Sequence, residues 1–332
     1  MNHLHSKSSH MSKNPTPSSI QSGKQPLFSV IIPLYNKEPH IKRALDSVLA
    51  QTFSDFEIIV VDDGSADKSS EIVKSYANEK ITLIQQKNTG ESGARNRGIR
   101  EANGKIIAFL DADDAWLPHF LETIARLHQT FPEAGIYGTA FAHCYPEVSV
   151  LTTYSKEEGE RILSYFRDFL VHGGPMFCTD TFAAPKTVLE SVGLYSEYLK
   201  IGPDVDLYGK IALSYPVAYS PSVCACYYLD TVNNTSGKSK FPLEVPFLGY
   251  LSTFSESELK KRDDYNEIQE YCDYWRTEMA MRNFFSGYYA RAIRLLMETH
   301  NKHYAKVRLK RLFTRLTKPC PYWAYQTIPF PI

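Results

Sequence analysis

The chain has 332 residues, with 37 Lys+Arg balanced by 37 Asp+Glu. A net charge of zero offers no case for nucleic-acid binding. The length admits one large domain with an appendage, or two domains. No apolar run reaches membrane-spanning length. Residues 1–26 are rich in Ser, His, Lys, Pro and Gln and contain no apolar signal core, so they read as a disordered tail rather than a secretory leader. The alternation begins with Phe28–Pro33, a buried strand with Pro33 at its end, where a missing donor costs least. Ile41, Ala44, Leu45, Val48 and Leu49 are spaced as one helix face. Phe56–Val61 is a second strand running into Asp62-Asp63-Gly64-Ser65, followed by a helix with Ile72, Val73 and Tyr76 on one side. Ile81–Ile84 is a third strand. Thr89–Gly93 reads as a loop, and Ala94–Ala102 as a helix closed by Gly104. Ile106–Leu110 is a fourth strand that stops at Asp111-Ala112-Asp113-Asp114.

Four strand–helix alternations predict a parallel sheet with helices on both faces. Beyond residue 130 the regularity fades. Ala134–Ala142 reads as a strand, Ile162, Leu163, Phe166, Phe169 and Leu170 as one helix, and Phe177–Ala184 as a strand. Val188–Val192 is a short helix before Gly193. Gly202-Pro203-Asp204-Val205-Asp206 leads into a helix through Leu213, and Val217–Leu229 is largely strand. Thr231–Lys240 is a polar loop, and the pattern is helical again from about residue 255. Six scattered cysteines without a CxxC pair suit buried thiols in a reducing compartment. The sequons around Asn233 and Asn234 carry no weight without a leader.

Ligands of such sheets bind outside the carboxyl ends of the strands. Three polar clusters should therefore meet at one rim: Pro33-Leu34-Tyr35-Asn36, Asp62-Asp63, and Asp111 to Asp114. Carboxylates crowded at a strand tip are costly unless a cation binds there, and a divalent metal shares carboxylate and phosphate oxygens. That pattern suggests a nucleotide-diphosphate substrate. Each cluster also has an ordinary structural use. Asp62-Asp63-Gly64-Ser65 suits a turn or helix cap, Asp111-Ala112-Asp113 a plain turn, Arg95 and Arg97 a solvated helix face, and Asp204 an N-cap.

Taken in order, these segments resemble the family 2 inverting glycosyltransferases of the GT-A fold, over roughly residues 27–240. The resemblance rests on Val30-Ile31-Ile32-Pro33-Leu34-Tyr35-Asn36, Ala50-Gln51-Thr52-Phe53 and Glu57 to Ser65. It continues through Asn88-Thr89-Gly90, Gly93-Ala94-Arg95-Asn96-Arg97-Gly98 and Phe109 to Asp114. It implies an α/β fold of GT-A type: a mostly parallel nucleotide-binding sheet flanked by helices, spanning residues 27–240, with a mainly helical extension over 241–332. Pro33 and Tyr35 would line the nucleotide pocket, and Asp63, with Asp62 beside it, would bind the base. Arg95 would lie near the nucleotide, Asp111 would face ribose and metal, Asp113 would ligate Mg²⁺ or Mn²⁺, and Asp204 would be the catalytic base. The family often has Gly-Glu-Asp where this chain has Gly202-Pro203-Asp204.

The implied reaction moves a sugar from a nucleotide sugar, with uridine the expected base, to an acceptor hydroxyl on a saccharide or lipid-linked molecule. The expected setting is surface polysaccharide or glycolipid synthesis in the cytoplasm. Leu309, Leu312, Phe313 and Leu316 form an apolar stripe among Arg308, Lys310, Arg311 and Arg315. Such a basic helix suits either packing on the catalytic domain or peripheral contact with the inner membrane face. Two other readings stand beside the enzyme: a non-catalytic nucleotide-sugar-binding scaffold on the same fold, and a metal-dependent nucleotidyltransferase. The last would release pyrophosphate rather than a nucleoside diphosphate, and the segment after the first strand lacks a Gly-rich triphosphate loop.

Overall fold

The structure, a computed structural model, describes residues 25–145, 148–152, 159–228 and 243–301, with residues 306 and 310. The N-terminal tail through residue 24, the polar loop Thr231–Lys240 and the apolar stripe residues Leu309, Leu312, Phe313 and Leu316 lie outside them. The first half alternates as the apolar pattern requires: β1 (Phe28–Leu34), α1 (Ile41–Leu49), β2 (Phe56–Asp62), α2 (Ser69–Ser75), β3 (Ile81–Gln85), α3 (Glu91–Glu101) and β4 (Ile106–Phe109). There follow β5 (Ala115–Trp116), α4 (Phe120–Thr130), β6 (Ile136–Tyr145), β7 (Val148–Thr152), β8 (Arg161–Leu163) and α5 (Tyr165–His172). Next come β9 (Phe182–Pro185), α6 (Lys186–Ser191), α7 (Pro203–Ala212) and β10 (Val217–Tyr228). The last described helices are α8 (Leu248–Leu251), α9 (Glu256–Leu259), α10 (Tyr265–Phe285) and α11 (Tyr289–Met297).

One sheet runs β3-β2-β1-β4-β9-β6-β10-β5, with β7 on β6 and β8 on β10. β3, β2, β1 and β4 are parallel. β9 is antiparallel to both β4 and β6, and β10 is parallel to β6. The sheet is GT-A-like: parallel on one half, mixed on the other. Its strands read as continuous apolar runs because both faces are covered. Ile31 packs into one core with α3, α5, α7 and α10, while Val30 and Ile32 face a second core with α1 and α4. Leu251, Leu259, Ile268 and Tyr271 belong to the first of these cores, so the C-terminal helices are packed on the sheet through a shared apolar interior.

Three expected elements differ. The helix expected from Ala94 starts at Glu91, with Gly93 inside its first turn, where a Cβ would collide with the Thr89 side chain. Ile162 and Leu163 do not join the helix after them. They pair with Ala218 and Val217 on the open edge of β10, and their exposure alternates as in a strand, 39% against 6%. Phe177–Ala184 is not one strand: a 3-10 turn over Thr179–Thr181 precedes β9. There the Thr181 hydroxyl accepts the Cys178 N–H at 3.1 Å, a local bond that competes with ladder pairing.

Candidate active site

The carboxyl ends of β1, β2 and β4 converge on the start of α3. Asp62 ends β2 and Asp63 follows it; both are almost fully buried. Asp62 serves its own turn: one oxygen accepts the Ser65 N–H at 2.9 Å, the other the Ser70 hydroxyl and the Gln85 amide. Burial pushes its carboxyl up, but these hydrogen bonds outweigh that and hold it below the usual carboxylate range. Asp63 reaches the other way. Its oxygens accept the backbone N–H groups of Thr89 and Gly90, both at 2.8 Å, and the Gln86 amide at 2.8 Å. Gly90 adopts φ +86°, a left-handed conformation that glycine takes without strain, and that turn presents its N–H to Asp63.

Arg95 rises from α3 one turn later. It is 1% exposed, and its Nη2 donates to Asp111 Oδ1 at 2.5 Å and pairs with Glu91. Desolvation weakens a buried guanidinium's charge, but Glu91 and Asp111 more than restore it, so Arg95 stays charged. Its guanidinium also lies 5.3 Å from the centre of the Tyr195 ring. Tyr195 is tied to α3 by a reciprocal pair: Asn96 Nδ2 donates to the Tyr195 carbonyl, and the Tyr195 N–H donates to Asn96 Oδ1. Arg97, by contrast, is on the surface and pairs with Glu101 at 2.9 Å.

Asp111 sits in an acidic cluster. Carboxylate oxygens of Asp111, Asp114 and Asp180 lie within 4.8 Å of one another. The Asp111 N–H donates to Asp180 Oδ1 at 2.7 Å, and the Tyr228 N–H to Asp114 Oδ1 at 2.7 Å. Burial pushes all three carboxyls up, and repulsion from Asp180 adds to the shift at Asp111 and Asp114. Asp113 lies apart from this trio on an ion pair of its own, with Lys37 Nζ 2.5 Å from its Oδ2. Arg43 donates to the Asp113 carbonyl and stacks on Tyr228, 3.5 Å from the ring centre. Among the described residues, Arg95 and Lys37 pair with Asp111 and Asp113, and no salt bridge reaches Asp114 or Asp180. Hard oxygen donors with surplus negative charge fit a divalent cation such as Mg²⁺ or Mn²⁺.

Asp204 stands in the first turn of α7. Gly202, at φ +71°, turns the chain into the helix, and Pro203 takes the first position, where its missing N–H is no loss. Pro in place of the family's acidic residue thus leaves Asp204 in the helix's opening turn, not at its N-cap. The carboxyl is raised above the usual range, chiefly by burial, while the Val205 N–H and Arg95 pull it down. Arg95 therefore acts on Asp111 and Asp204 alike. Three buried tyrosines, Tyr165, Tyr195 and Tyr208, surround Asp204 closely enough that its charge adds to the effect of burial on each phenol. Asp206, two residues on, faces the interior. It binds Lys210 at 2.6 Å, the Ser196 hydroxyl at 2.5 Å and the Phe247 N–H at 2.6 Å.

Pro33 lies in register with Val61, and Tyr35 stands 48% exposed at the rim. Of the anticipated residues, Asp63, Arg95, Asp111 and Asp204 are linked through α3; Asp113 is held from the β1–α1 loop and Asp62 by α2. Asp180, Glu91, Lys37 and Arg43 were not anticipated. Asp180 lies in an unpatterned Thr-Asp-Thr turn, so nothing near it in sequence marks it.

Residues 29–193 match the model of the family described as glycosyl transferase family 2. An uncharacterized glycosyltransferase of Nostoc sp. is 48% identical over 112 residues, 33% of this chain and 35% of the relative. One from Rickettsia typhi is 34% identical over 197 residues, 57% of this chain and 60% of the relative. The chain thus spans between about a third and three-fifths of these two relatives. S. aureus TarS 1–349 in complex with UDP-GlcNAc superposes with a TM-score of 0.58 at 20% identity, covering 81% of this chain and 88% of that one. The mannosyltransferase PcManGT from Pyrobaculum calidifontis, in complex with GDP-Man and Mn²⁺, gives 0.54 at 19% identity, covering 95% and 87%. At these identities the structural likeness speaks for the fold.

Proposed function

Because the chain belongs to glycosyl transferase family 2 through residues 29–193, we propose that it transfers a sugar from a nucleotide-diphosphate sugar to an acceptor hydroxyl with inversion at the anomeric carbon. The observation that supports this most is the position of Arg95, a buried cation bonded to Asp111 and acting on Asp204. It ties a strand-end carboxylate to a helix-borne one from a segment almost a hundred residues away. Sugar transfer needs both, one to hold the diphosphate end and one to accept a proton.

In this reading Asp63 accepts the imide N–H of a uracil, Pro33 and Tyr35 border the base, and Asp62 holds the turn that presents Asp63. Asp111 would hold a divalent cation, Mg²⁺ or Mn²⁺, with Asp114 and Asp180 of the same cluster and with Asp113 next to it; when bound, that ion would offset the charge growing on the departing diphosphate. Arg95 opposes the effect of burial on Asp111 and holds its carboxyl in place. Asp204 takes the proton of the acceptor hydroxyl as that oxygen attacks opposite the leaving group. Its raised pKa favours that proton transfer, because a stronger base is better matched to a hydroxyl. The acceptor is a saccharide or a lipid-linked molecule.

The test is a thermal-shift screen of UDP-GlcNAc, UDP-glucose and GDP-mannose, with Mn²⁺ and with EDTA, followed by product analysis. A ligand bound by the folded state alone raises the melting temperature by mass action. Stabilisation that needs Mn²⁺, and release of nucleoside diphosphate, is the expected result. No stabilisation by any donor, or release of pyrophosphate, overturns the reading.

A further inference from the structure

We propose that Tyr195-Ser196-Glu197 is a strap that sets the spacing between α3, on the donor side of the site, and α7, which carries Asp204, with Asn96 and Ser196 as its positioning residues. The inference rests on the reading of Asp204 as the base, and deepens it by naming what holds that base against the donor side.

The strap is bonded to both helices. On the α3 side, Asn96 Nδ2 donates to the Tyr195 carbonyl at 2.9 Å and to Glu197 Oε1 at 2.8 Å, and the Tyr195 N–H donates to Asn96 Oδ1 at 3.0 Å. Only one orientation of the Asn96 amide serves all three partners, since the carbonyl and the carboxylate need donors and the N–H needs an acceptor. On the α7 side, the Ser196 hydroxyl donates to Asp206 Oδ2 at 2.5 Å and accepts from Lys210 Nζ at 2.8 Å. Tyr195 and Glu197 thus bind one helix and the residue between them binds the other. Asn96, Tyr195, Ser196 and Asp206 are all buried, so water does not compete for these bonds.

The same run adjoins the groups of the proposed chemistry. Asn96 follows Arg95 on α3, and successive helix positions point about 100° apart. One side chain therefore reaches Asp111 and the next the strap. The Arg95 guanidinium stands 5.3 Å from the centre of the Tyr195 ring. Asp206 lies two residues after Asp204 in the opening of α7. Leu194, immediately before the strap, has φ +61°, a left-handed conformation that a non-glycine residue seldom takes. The reciprocal pair between Asn96 and Tyr195 fixes the chain just past that turn.

The two ends can be cut separately. Ser196→Ala removes the hydroxyl and leaves α7 its Asp206–Lys210 pair at 2.6 Å and its bond from the Phe247 N–H at 2.6 Å. Asn96→Ala frees the other end and leaves Arg95 on Asp111. A misplacement of about 1 Å between reacting groups can cost about 10²-fold in rate.

The test compares wild type, Ser196→Ala, Asn96→Ala and the double variant, as full chains with Mn²⁺. The donor is whichever of UDP-GlcNAc, UDP-glucose and GDP-mannose stabilises wild type, water is the acceptor, and release of UDP or GDP is followed. Binding of that nucleoside diphosphate is measured by calorimetry, which also counts the folded sites. Each single variant should lose about 10–100-fold in kcat per folded site, with nucleotide affinity within about twofold of wild type. The double variant should be no slower than the slower single, because both changes cut one strap. Wild-type kcat in Ser196→Ala overturns the strap, even where Asn96→Ala does not fold. A parallel fall in nucleotide affinity also overturns it, since the bonds would then support the donor pocket. Losses that multiply in the double variant mean two independent effects, and the strap fails. Wild type that releases no nucleoside diphosphate, or Asp204→Asn that releases it at the wild-type rate, removes the underlying reading. A slow Asp204→Asn beside a Ser196→Ala that matches wild type removes only this inference.

Discussion

Arg95 Nη2 lies 2.5 Å from Asp111 Oδ1, and the arginine that makes this bond is buried almost completely. A surface arginine on α3 would have been replaceable; this one is the counter-ion of an acidic cluster. Arg95→Met should destabilise the protein by about 3 kcal/mol, the scale for removing one partner of a buried ion pair. Urea denaturation checks the stability. Mn²⁺-dependent nucleotide binding should fall with it, because Asp111 loses the cation that opposes burial and positions its carboxyl.

Asp204→Asn keeps the shape of the first turn of α7 and removes the base. Transfer should drop by about 10²–10⁴ while nucleotide binding and melting temperature stay near wild type. Asp204 is raised above the usual carboxylate range by burial. Wild-type transfer should therefore fall on acidification at a higher pH than an ordinary aspartate would impose, since the base is lost as pH drops through its raised pKa. Equal transfer rates for the variant and wild type would remove Asp204 from the chemistry.

Asp62 predicts a pH effect on stability. Its folded carboxyl lies below the ordinary value, since the bonds from Ser70, Ser65 and Gln85 outweigh burial. A depressed carboxyl adds stability above its unfolded pKa, and that contribution is lost as pH falls through the folded one. Asp62→Asn should lose about 1–2 kcal/mol at neutral pH. Its deficit relative to wild type should shrink below about pH 4. Melting curves across that range measure both.

Gly98 sets how closely α3 approaches the sheet. A Cβ there would stand 2.5 Å from Ile31 Cγ2. Gly98→Ala raises helix propensity, yet should destabilise by about 1–3 kcal/mol through overpacking. Ile31→Ala removes the obstructing methyl group, so the double variant should be less destabilised than the sum of the two singles. Additive losses in denaturant titrations would show that the contact is not what limits the packing.

How far the residues alone carried this picture differs from element to element. Strands β1 to β4 and their helices were legible because a strand buried on both faces leaves an unbroken apolar run and an amphipathic helix leaves a stripe. The rim clusters followed from that alternation, since strand ends of a parallel sheet share one edge. Ile162 and Leu163 were misread because two apolar residues before a helix fit its spacing as well as a two-residue pairing on a distant strand. Likewise only the family resemblance, not the local chemistry of the residues, set Asp204 apart from Asp206 in sequence. One turns toward Arg95 and the other into a buried bond with Lys210, and only the seating of α7 against the loop at Phe247 separates them.

The ordered apolar runs and strand-end carboxylates determined the parallel half of the sheet, the family and the edge at which chemistry belongs, because periodicity and turn chemistry are local properties of a chain. Which carboxylates meet was decided only by the tertiary structure. Asp180 joins Asp111 and Asp114, Lys37 takes Asp113, and Arg95 is buried between segments far apart in sequence. Charge pairing acts through space, and nothing in the order of residues records which distant side chain the packed core will bring within a few ångströms.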